Sequence, residues 1–212
     1  MNQTILVLGG GAGAVVTAVE LRKTLAKNHR IVLVDREERH VFAPSLLWLM
    51  TGDRTAEKIS RPLDRLARRG IEVERGEITS IDPVSRRVEV NGRVLEGSFL
   101  VVSLGAERVY AIGDVTGIPL KAGKPLPKAG VFAHRQASVV ARNITQAITG
   151  RGETTSFDGH GECFVEVGDG RAGFGSGTFY AEPAPVVRMH RPGLRWHWGK
   201  VLFEKYWLRR WF

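Results

Sequence analysis

Gly9, Gly11 and Ala14 stand at the spacing G-x-G-x-x-G/A, and Asp35 follows about 20 residues later. Glycine at the first position lets the chain turn tightly, and at the second it lets a pyrophosphate approach the backbone. A small third residue lets a helix pack close to its strand. Pyrophosphate would then meet the unpaired N–H groups and the positive end of a helix dipole, while Asp35 accepts hydrogen bonds from an adenosine ribose. Glycine-rich turns also end ordinary strands. Here an apolar run, the motif, a helical pattern, a second apolar run and the acid occur in order, and together they read as a dinucleotide site.

The elements that must position these residues are legible around them. Ile5 to Leu8 reads as a buried parallel strand, Gly13 to Lys27 as the crossover helix, and Ile31 to Asp35 as the second strand. Pro44 marks a helix start, and Phe42, Leu46, Leu47, Trp48 and Met50 read as core. Ile59 to Arg69 is expected to be one short amphipathic helix stopped at Gly70, with Ile71 to Glu74 completing a second crossover. Glu77 to Ser103 looks all-β, with turns at Asp82-Pro83 and Asn91-Gly92, and its last part, Phe99 to Ser103, returns to the buried sheet. Another buried strand ends at Gly113-Asp114. Residues 116 to 130 form a Gly/Pro-rich loop, and Val131 to Thr149 is a helix closed by Gly150. Short β-like pieces follow at Cys163 to Val167, Arg171 to Phe174 and Phe179-Tyr180, with Gly173, Gly175 and Gly177 read as turns.

A chain of 212 residues suits one domain with an appendage, or two small domains. No run reaches the ~18 apolar residues of a spanning helix. The N-terminus opens into a strand without a basic n-region or cleavage site, so a cytoplasmic address is expected. The single cysteine, Cys163, excludes an intrachain disulfide and a CxxC pair, and no metal site is expected. The formal charge is +9, and residues 186–212 hold seven Lys or Arg against Glu204 alone, with four of the five tryptophans. Basic and aromatic together suit nucleic acid or anionic lipid headgroups. No nucleic-acid motif accompanies them, so nucleic acid is not expected as a partner.

Several motifs then act together: the Gly9 to Ala14 turn with Asp35, FAPSLLW, IDPVSRRV, LVVSLGA, VYAIGDV, PKAGVFAHRQA, GECFVEVGDG and KVLFEKYW. They resemble the FAD-dependent pyridine nucleotide-disulfide oxidoreductase superfamily, in particular sulfide:quinone oxidoreductases, flavocytochrome c sulfide dehydrogenases and type II NADH dehydrogenases. The resemblance implies FAD as cofactor. It places Gly9, Gly11, Ala12, Gly13 and Ala14 at the pyrophosphate and Asp35 at the adenine-side ribose, with Arg36 and Ile78 among the cofactor contacts. Gly105, Gly113 and Asp114 fall at the middle of the cofactor, and Pro44, Lys128, Ala129 and Gly130 at the flavin end. A helix start near Gly130 would favour the negative charge that reduction places on the flavin.

One departure matters. In this family a second dinucleotide-binding domain lies between blocks like LVVSLGA and VYAIGDV, which are here joined by Glu107 and Arg108 alone. Cys163 matches the family's Cys-Phe block, where it would be catalytic; without a partner thiol it reads rather as a buried structural thiol. The expected fold is α/β: a Rossmann-like FAD-binding domain over 1–150, with a parallel sheet, crossover helices and a small antiparallel hairpin insertion, then a small C-terminal region over 151–212. The implied function is a flavoprotein oxidoreductase passing electrons from a small donor through FAD to a quinone-like acceptor. The alternative is a minimal FAD-binding module without efficient turnover. For the tail, residues 196–212, two readings stay open: a surface facing an anionic membrane or a quinone, peripheral on the inner face of the membrane, or a helix docked on its own sheet. Exposed tail aromatics would favour a homo-oligomer.

Overall fold

The computed structural model describes residues 1–102, 109–110, 112–113, 116–121 and 123–212, with the backbone alone described at residue 109. The apolar run TILVL forms β1 (Thr4–Leu8), and the glycine loop feeds α1 (Ala12–Thr24), which returns the chain to β2 (Arg30–Asp35). The helix stops short of Lys27 because the Arg22 guanidinium turns back onto the carbonyls of Leu25 and His29, each at 2.8 Å. β3 (Arg39–Val41), a 3₁₀ turn over Ala43–Ser45, α2 (Leu46–Met50), α3 (Ala56–Ile59) and β4 (Ser60–Pro62) follow. A second 3₁₀ segment, Leu63–Arg69, leads to β5 (Glu72–Arg75).

Two sequence expectations are corrected in this part of the chain. The single helix expected from Ile59 to Arg69 is broken, because Ser60–Pro62 pairs antiparallel with β3 and Pro62 has no N–H to continue a helix. The stop at Gly70 holds, at φ +78° in the left-handed region. Of the five residues read as core, Phe42 and Trp48 are buried, whereas Leu46, Leu47 and Met50 are 47%, 41% and 78% exposed. A five-residue helix lying on the surface buries only one side.

β6 (Ile78–Asp82), β7 (Arg87–Val90) and β8 (Arg93–Glu96) form an antiparallel meander. Its tight turn has Asn91 at φ +50° and Gly92 at φ +75°, the paired positive angles that an Asn-Gly hairpin supplies. β9 (Phe99–Val101) and β10 (Val109–Tyr110) rejoin the main sheet, and α4 (Gly130–Thr149) ends at Gly150, φ +67°. β11 (His160–Gly168), β12 (Arg171–Thr178) and β13 (Val186–Gly193) make a second antiparallel sheet, and α5 (Leu194–Trp211) closes the chain. Gly173, Gly175 and Gly177 are strand residues of β12, not turns. A β-carbon on Gly175 would lie 2.5 Å from Met189 Sδ, so the glycine makes room for the side chain across the strand. Phe179-Tyr180 lies beyond the end of β12, and β13 carries no alternation that marks it in the sequence.

The five main strands are parallel in the order β10-β9-β1-β2-β5. Alternate residues face opposite layers. Ile5, Val7, Ile31, Leu33, Phe99 and Val101 pack with α1 and α4 and with Trp207, Leu208 and Trp211 of α5. Leu6, Val32, Val34 and Leu100 pack with Val88 and Val90 of the meander. Both faces are covered, which is why these strands read as unbroken apolar runs. The architecture is α/β and Rossmann-like: helices, parallel sheet and meander in three layers. Order reverses between β1 and β9, so the crevice beyond Leu8 is the position where such sheets bind ligands. Among the described residues no helix is long and apolar enough to cross a membrane.

Candidate functional site

The glycine loop sits at that crevice. Gly9 has φ +108° and donates its N–H to the Val34 carbonyl at 2.7 Å, tying the end of β1 to β2. Gly10, which the motif spacing passes over, is the most confined of the run. Its N–H donates to the Asp35 carboxylate, and a β-carbon there would lie 2.8 Å from Leu63 Cδ1 and 3.1 Å from Asp35 Oδ2. Gly11 precedes α1 in extended geometry, and a β-carbon on it would meet nothing within 4 Å. Gly13 and Ala14 are buried inside the helix contact. A β-carbon on Gly13 would lie 3.0 Å from Ile112 Cδ1 and 3.4 Å from the methyl of Ala133 on α4. Ala12 is half-buried against the same core. The open side of the loop is therefore Gly9, Gly11 and the first N–H groups of α1.

Asp35 is held on both oxygens, by the Gly10 N–H and, at 2.6 Å, by the Glu37 N–H. Arg36 is exposed and reaches Glu37 at 3.2 Å. Ile78 opens β6 and packs on the meander side of the sheet, while the Gly76 N–H two residues earlier donates to the Asp35 carbonyl at 3.0 Å. His40 is the residue that sequence reasoning missed here. It is buried, and its Nδ1 lies 2.7 Å from the Gly10 carbonyl oxygen.

On the other side of β1, Gly113 (φ +77°) donates its N–H to Gln136 Oε1 of α4 at 2.8 Å. Gly113, Lys128 and Ala129 line one narrow crevice with Thr116, Phe132 and Gln136; its volume is about 10 Å³, room for one water. α4 begins at Gly130 after Ala129, without a side-chain cap and without an acid in its first turn, and the same is true of α1. Pro44 is exposed on its 3₁₀ turn, separate from that crevice. Gly105 and Asp114 lie outside the described residues.

The tail contributes a buried polar cluster that the sequence analysis did not foresee. Ser45, next to Pro44, donates to buried Glu204, which also pairs with Arg54 at 3.1 Å. Lys200, 3% exposed, lies 3.5 Å from Glu166 and 4.0 Å from the Trp48 ring centre, and His197 Nδ1 is 3.3 Å from the other Glu166 oxygen. Burial lowers the Lys200 pKa, and Glu166 opposes that shift. Cys163 lies on the same strand as Glu166. It is exposed, which corrects the expectation of a buried thiol: β11 is an edge strand, opposite a glycine. Protein packed around the sulfur still raises its pKa, with Lys200 opposing. A buried ammonium–carboxylate pair beside a thiol is able to hold and pass a proton.

No family model matches the chain. Over 119 residues it is 34% identical to demethylphylloquinone reductase of Synechocystis sp., covering 54% of this chain and 29% of that protein. Over 112 residues it is 33% identical to sulfide-quinone reductase of Aquifex aeolicus, covering 52% and 26%. The matched stretch thus spans little more than a quarter of these relatives' length. The solved structure of the Aquifex aeolicus sulfide:quinone oxidoreductase aligns with a TM-score of 0.84 over 99% of this chain and 91% of that one, at 16% identity, a likeness of fold. The chain is similar to quinone-linked oxidoreductases in about half its sequence and has the fold of one throughout. The resemblance carried by the motifs holds.

Proposed function

We propose that the chain binds FAD and acts as a flavoprotein oxidoreductase, passing electrons from a small donor to a quinone-like acceptor. The supporting observation is the convergence of two helix starts at one end of the parallel sheet. α1 and α4 meet at Gly13 and Ala133, and neither first turn holds an acid or a side-chain cap. Two positive helix ends side by side favour a ligand that is anionic in its middle and becomes more anionic when reduced.

The residues fit such a ligand. Gly9 adopts an angle that side chains avoid, and Gly11 leaves open space where a side chain would stand. Gly9, Gly11 and the α1 start (Ala12, Gly13, Ala14) would hold the pyrophosphate, and Asp35, with the adjacent Arg36 and with Ile78, two residues after the Gly76 whose N–H meets the Asp35 carbonyl, the adenine-side ribose. Gly105, Gly113 and Asp114 would take the middle, and Pro44, Lys128, Ala129 and Gly130 the flavin end. FAD, when bound, supplies reversible electron uptake. The chain's own part is to orient it, to favour negative charge at the α4 start, and to keep a proton on Lys200 Nζ beside Glu166 for an acceptor that needs one.

Flavin absorbance of the purified protein tests this. Absorbance that survives dialysis is expected, and a colourless protein that also fails to take up added FAD overturns it. Asp114→Ala is expected to weaken FAD retention more than Asp158→Ala does.

A second reading, a minimal FAD module without efficient turnover, is favoured by the joining of LVVSLGA to VYAIGDV through Glu107 and Arg108 alone. Bleaching by sulfide, thiols or NADH followed by reoxidation with a quinone separates the two: turnover supports the enzyme, and its absence in flavin-loaded protein supports the module. Trp207, Leu208 and Trp211 dock α5 on the main core, and we propose the side left exposed, Leu194, Trp198, Leu202 and Tyr206, four residues apart and with Lys205 and Arg209 nearby, for an anionic membrane surface. Flotation with anionic vesicles should fall in the double variant Trp198→Ser, Leu202→Ser; unchanged flotation removes the membrane assignment.

A further inference from the structure

His40 is 2% exposed, yet its chemistry is not that of a core filler. The ring is stacked against Trp207, with centroids 4.9 Å apart, and against Phe212, at 5.4 Å. Nδ1 lies 2.7 Å from the Gly10 carbonyl oxygen, and Nε2 is buried without a hydrogen-bond partner among the described residues. A carbonyl only accepts, so Nδ1 carries the proton and Nε2 is left as a lone pair among aromatic rings. An unpaired buried acceptor is costly, and leucine or phenylalanine would fill the slot without it. What imidazole adds is one N–H aimed at Gly10.

That bond has a geometric consequence. The Gly10–Gly11 peptide is trans and planar, so fixing the Gly10 C=O toward His40 turns the Gly11 N–H the opposite way. Gly11 is where the loop has open space beside it. The other side of Gly10 is fixed as well, its N–H being held by Asp35. The imidazole is in turn held by α5: Trp207 donates its indole N–H to His134 Nδ1 on α4 at 3.2 Å, and Lys23 of α1 lies 4.7 Å from the ring centre of Trp211. A line of contacts therefore runs from the C-terminal helix through one ring to the peptide that presents the loop's N–H groups.

We propose that His40 is a positioning residue through which the seating of α5 sets the dinucleotide loop, so that nucleotide affinity and the docking of the C-terminal helix rise and fall together. The proposal rests on the dinucleotide reading of the loop. Coupling between two sites is reciprocal: FAD should tighten α5, and loosening α5 should weaken FAD by the same factor, about tenfold for a coupling of ordinary size.

The experiment is FAD titration of the flavin-free full chain, with hydrogen exchange followed in residues 205–212. In the wild type, FAD should slow exchange in that segment. His40→Leu, which fills the slot but donates nothing, should bind FAD about tenfold more weakly and lose the FAD-dependent protection. His40→Asn, whose amide nitrogen stands where Nδ1 stood, should recover both. Phe212→Ala, which disturbs only the end of the stack, should weaken FAD in the same direction and keeps the test open where His40→Leu does not fold. Wild-type affinity in His40→Leu or Phe212→Ala overturns the coupling, as does FAD binding that leaves exchange in 205–212 unchanged. A wild-type chain that takes up no FAD overturns the proposed function instead.

Discussion

Gly13 on α1 faces Ala133 on α4 so closely that a β-carbon on the glycine would lie 3.4 Å from the alanine methyl and 3.0 Å from Ile112 Cδ1. This contact brings the two helix starts side by side. Gly13→Ala gains about 0.5–1 kcal/mol of helix preference, which offsets the tight fit, and is expected to be near neutral. Gly13→Val cannot be absorbed in the same way and should cost about 1–3 kcal/mol. Urea midpoints of the two variants check this, and equal midpoints would show the helices free to separate.

Glu204 is buried where the tail meets the chain near Pro44, accepting from Ser45 and pairing with Arg54. Removing the carboxylate leaves the guanidinium with the Asp53 carbonyl and the Trp48 ring but without its ion-pair partner. Glu204→Ala is expected to destabilise by about 3 kcal/mol, the low end for a broken buried pair, because Arg54 keeps some solvent contact. Ser45→Ala removes one hydrogen bond and should cost about 1 kcal/mol. A loss at Glu204 no larger than that at Ser45 would show that the pair contributes nothing.

Burial lowers the pKa of His40 and of His134 below the ordinary 6.5; the Gly10 bond and Asp35 oppose it at His40, and at His134 Arg135 adds to it while Glu20 opposes. As pH falls through 6.5 the unfolded chain takes up these protons before the folded one does. Their contribution to stability is therefore complete above that value and is lost below it, down to the folded-state values. A Tm that falls as the pH drops below about 6.5 is expected. His134→Asn, which still accepts from Trp207 without titrating, should show a shallower fall. Identical pH profiles would remove His134 from the account.

Protein packed around Cys163 raises its pKa above the ordinary 9.0, and Lys200 opposes the rise. Iodoacetamide should therefore modify this exposed thiol slowly near neutral pH, with the rate climbing only in the alkaline range. Lys200→Met should move the climb to still higher pH. A profile that does not move would show that the ammonium has no influence at the sulfur.

The parallel strands, the crossover helix and the Asn91-Gly92 hairpin were legible because each is set by neighbours in the chain: unbroken apolar runs, small residues at fixed spacing, a turn that needs positive φ. The candidate loop was legible for the same reason, although Gly10 was passed over; its need for glycine comes from Leu63 and Asp35, which are distant in sequence. The break at Pro62 and the exposure of Leu46, Leu47 and Met50 were not legible, since they depend on β4 pairing with β3 and on a surface position for α2.

By itself the sequence determined the unbroken apolar runs that suit a parallel sheet covered on both faces, and the motif at its end, since both are local patterns of side-chain size and polarity. Only the tertiary structure decided that α5 enters the first core with Trp207 and Trp211, that Lys200 and Glu204 are buried with partners from β11 and from the turn near Pro44, and that His40 spans from this helix to Gly10. The physical reason is that a buried charge or an unpaired ring nitrogen is defined by groups far away in the chain, and no spacing within a segment reports which of them will arrive.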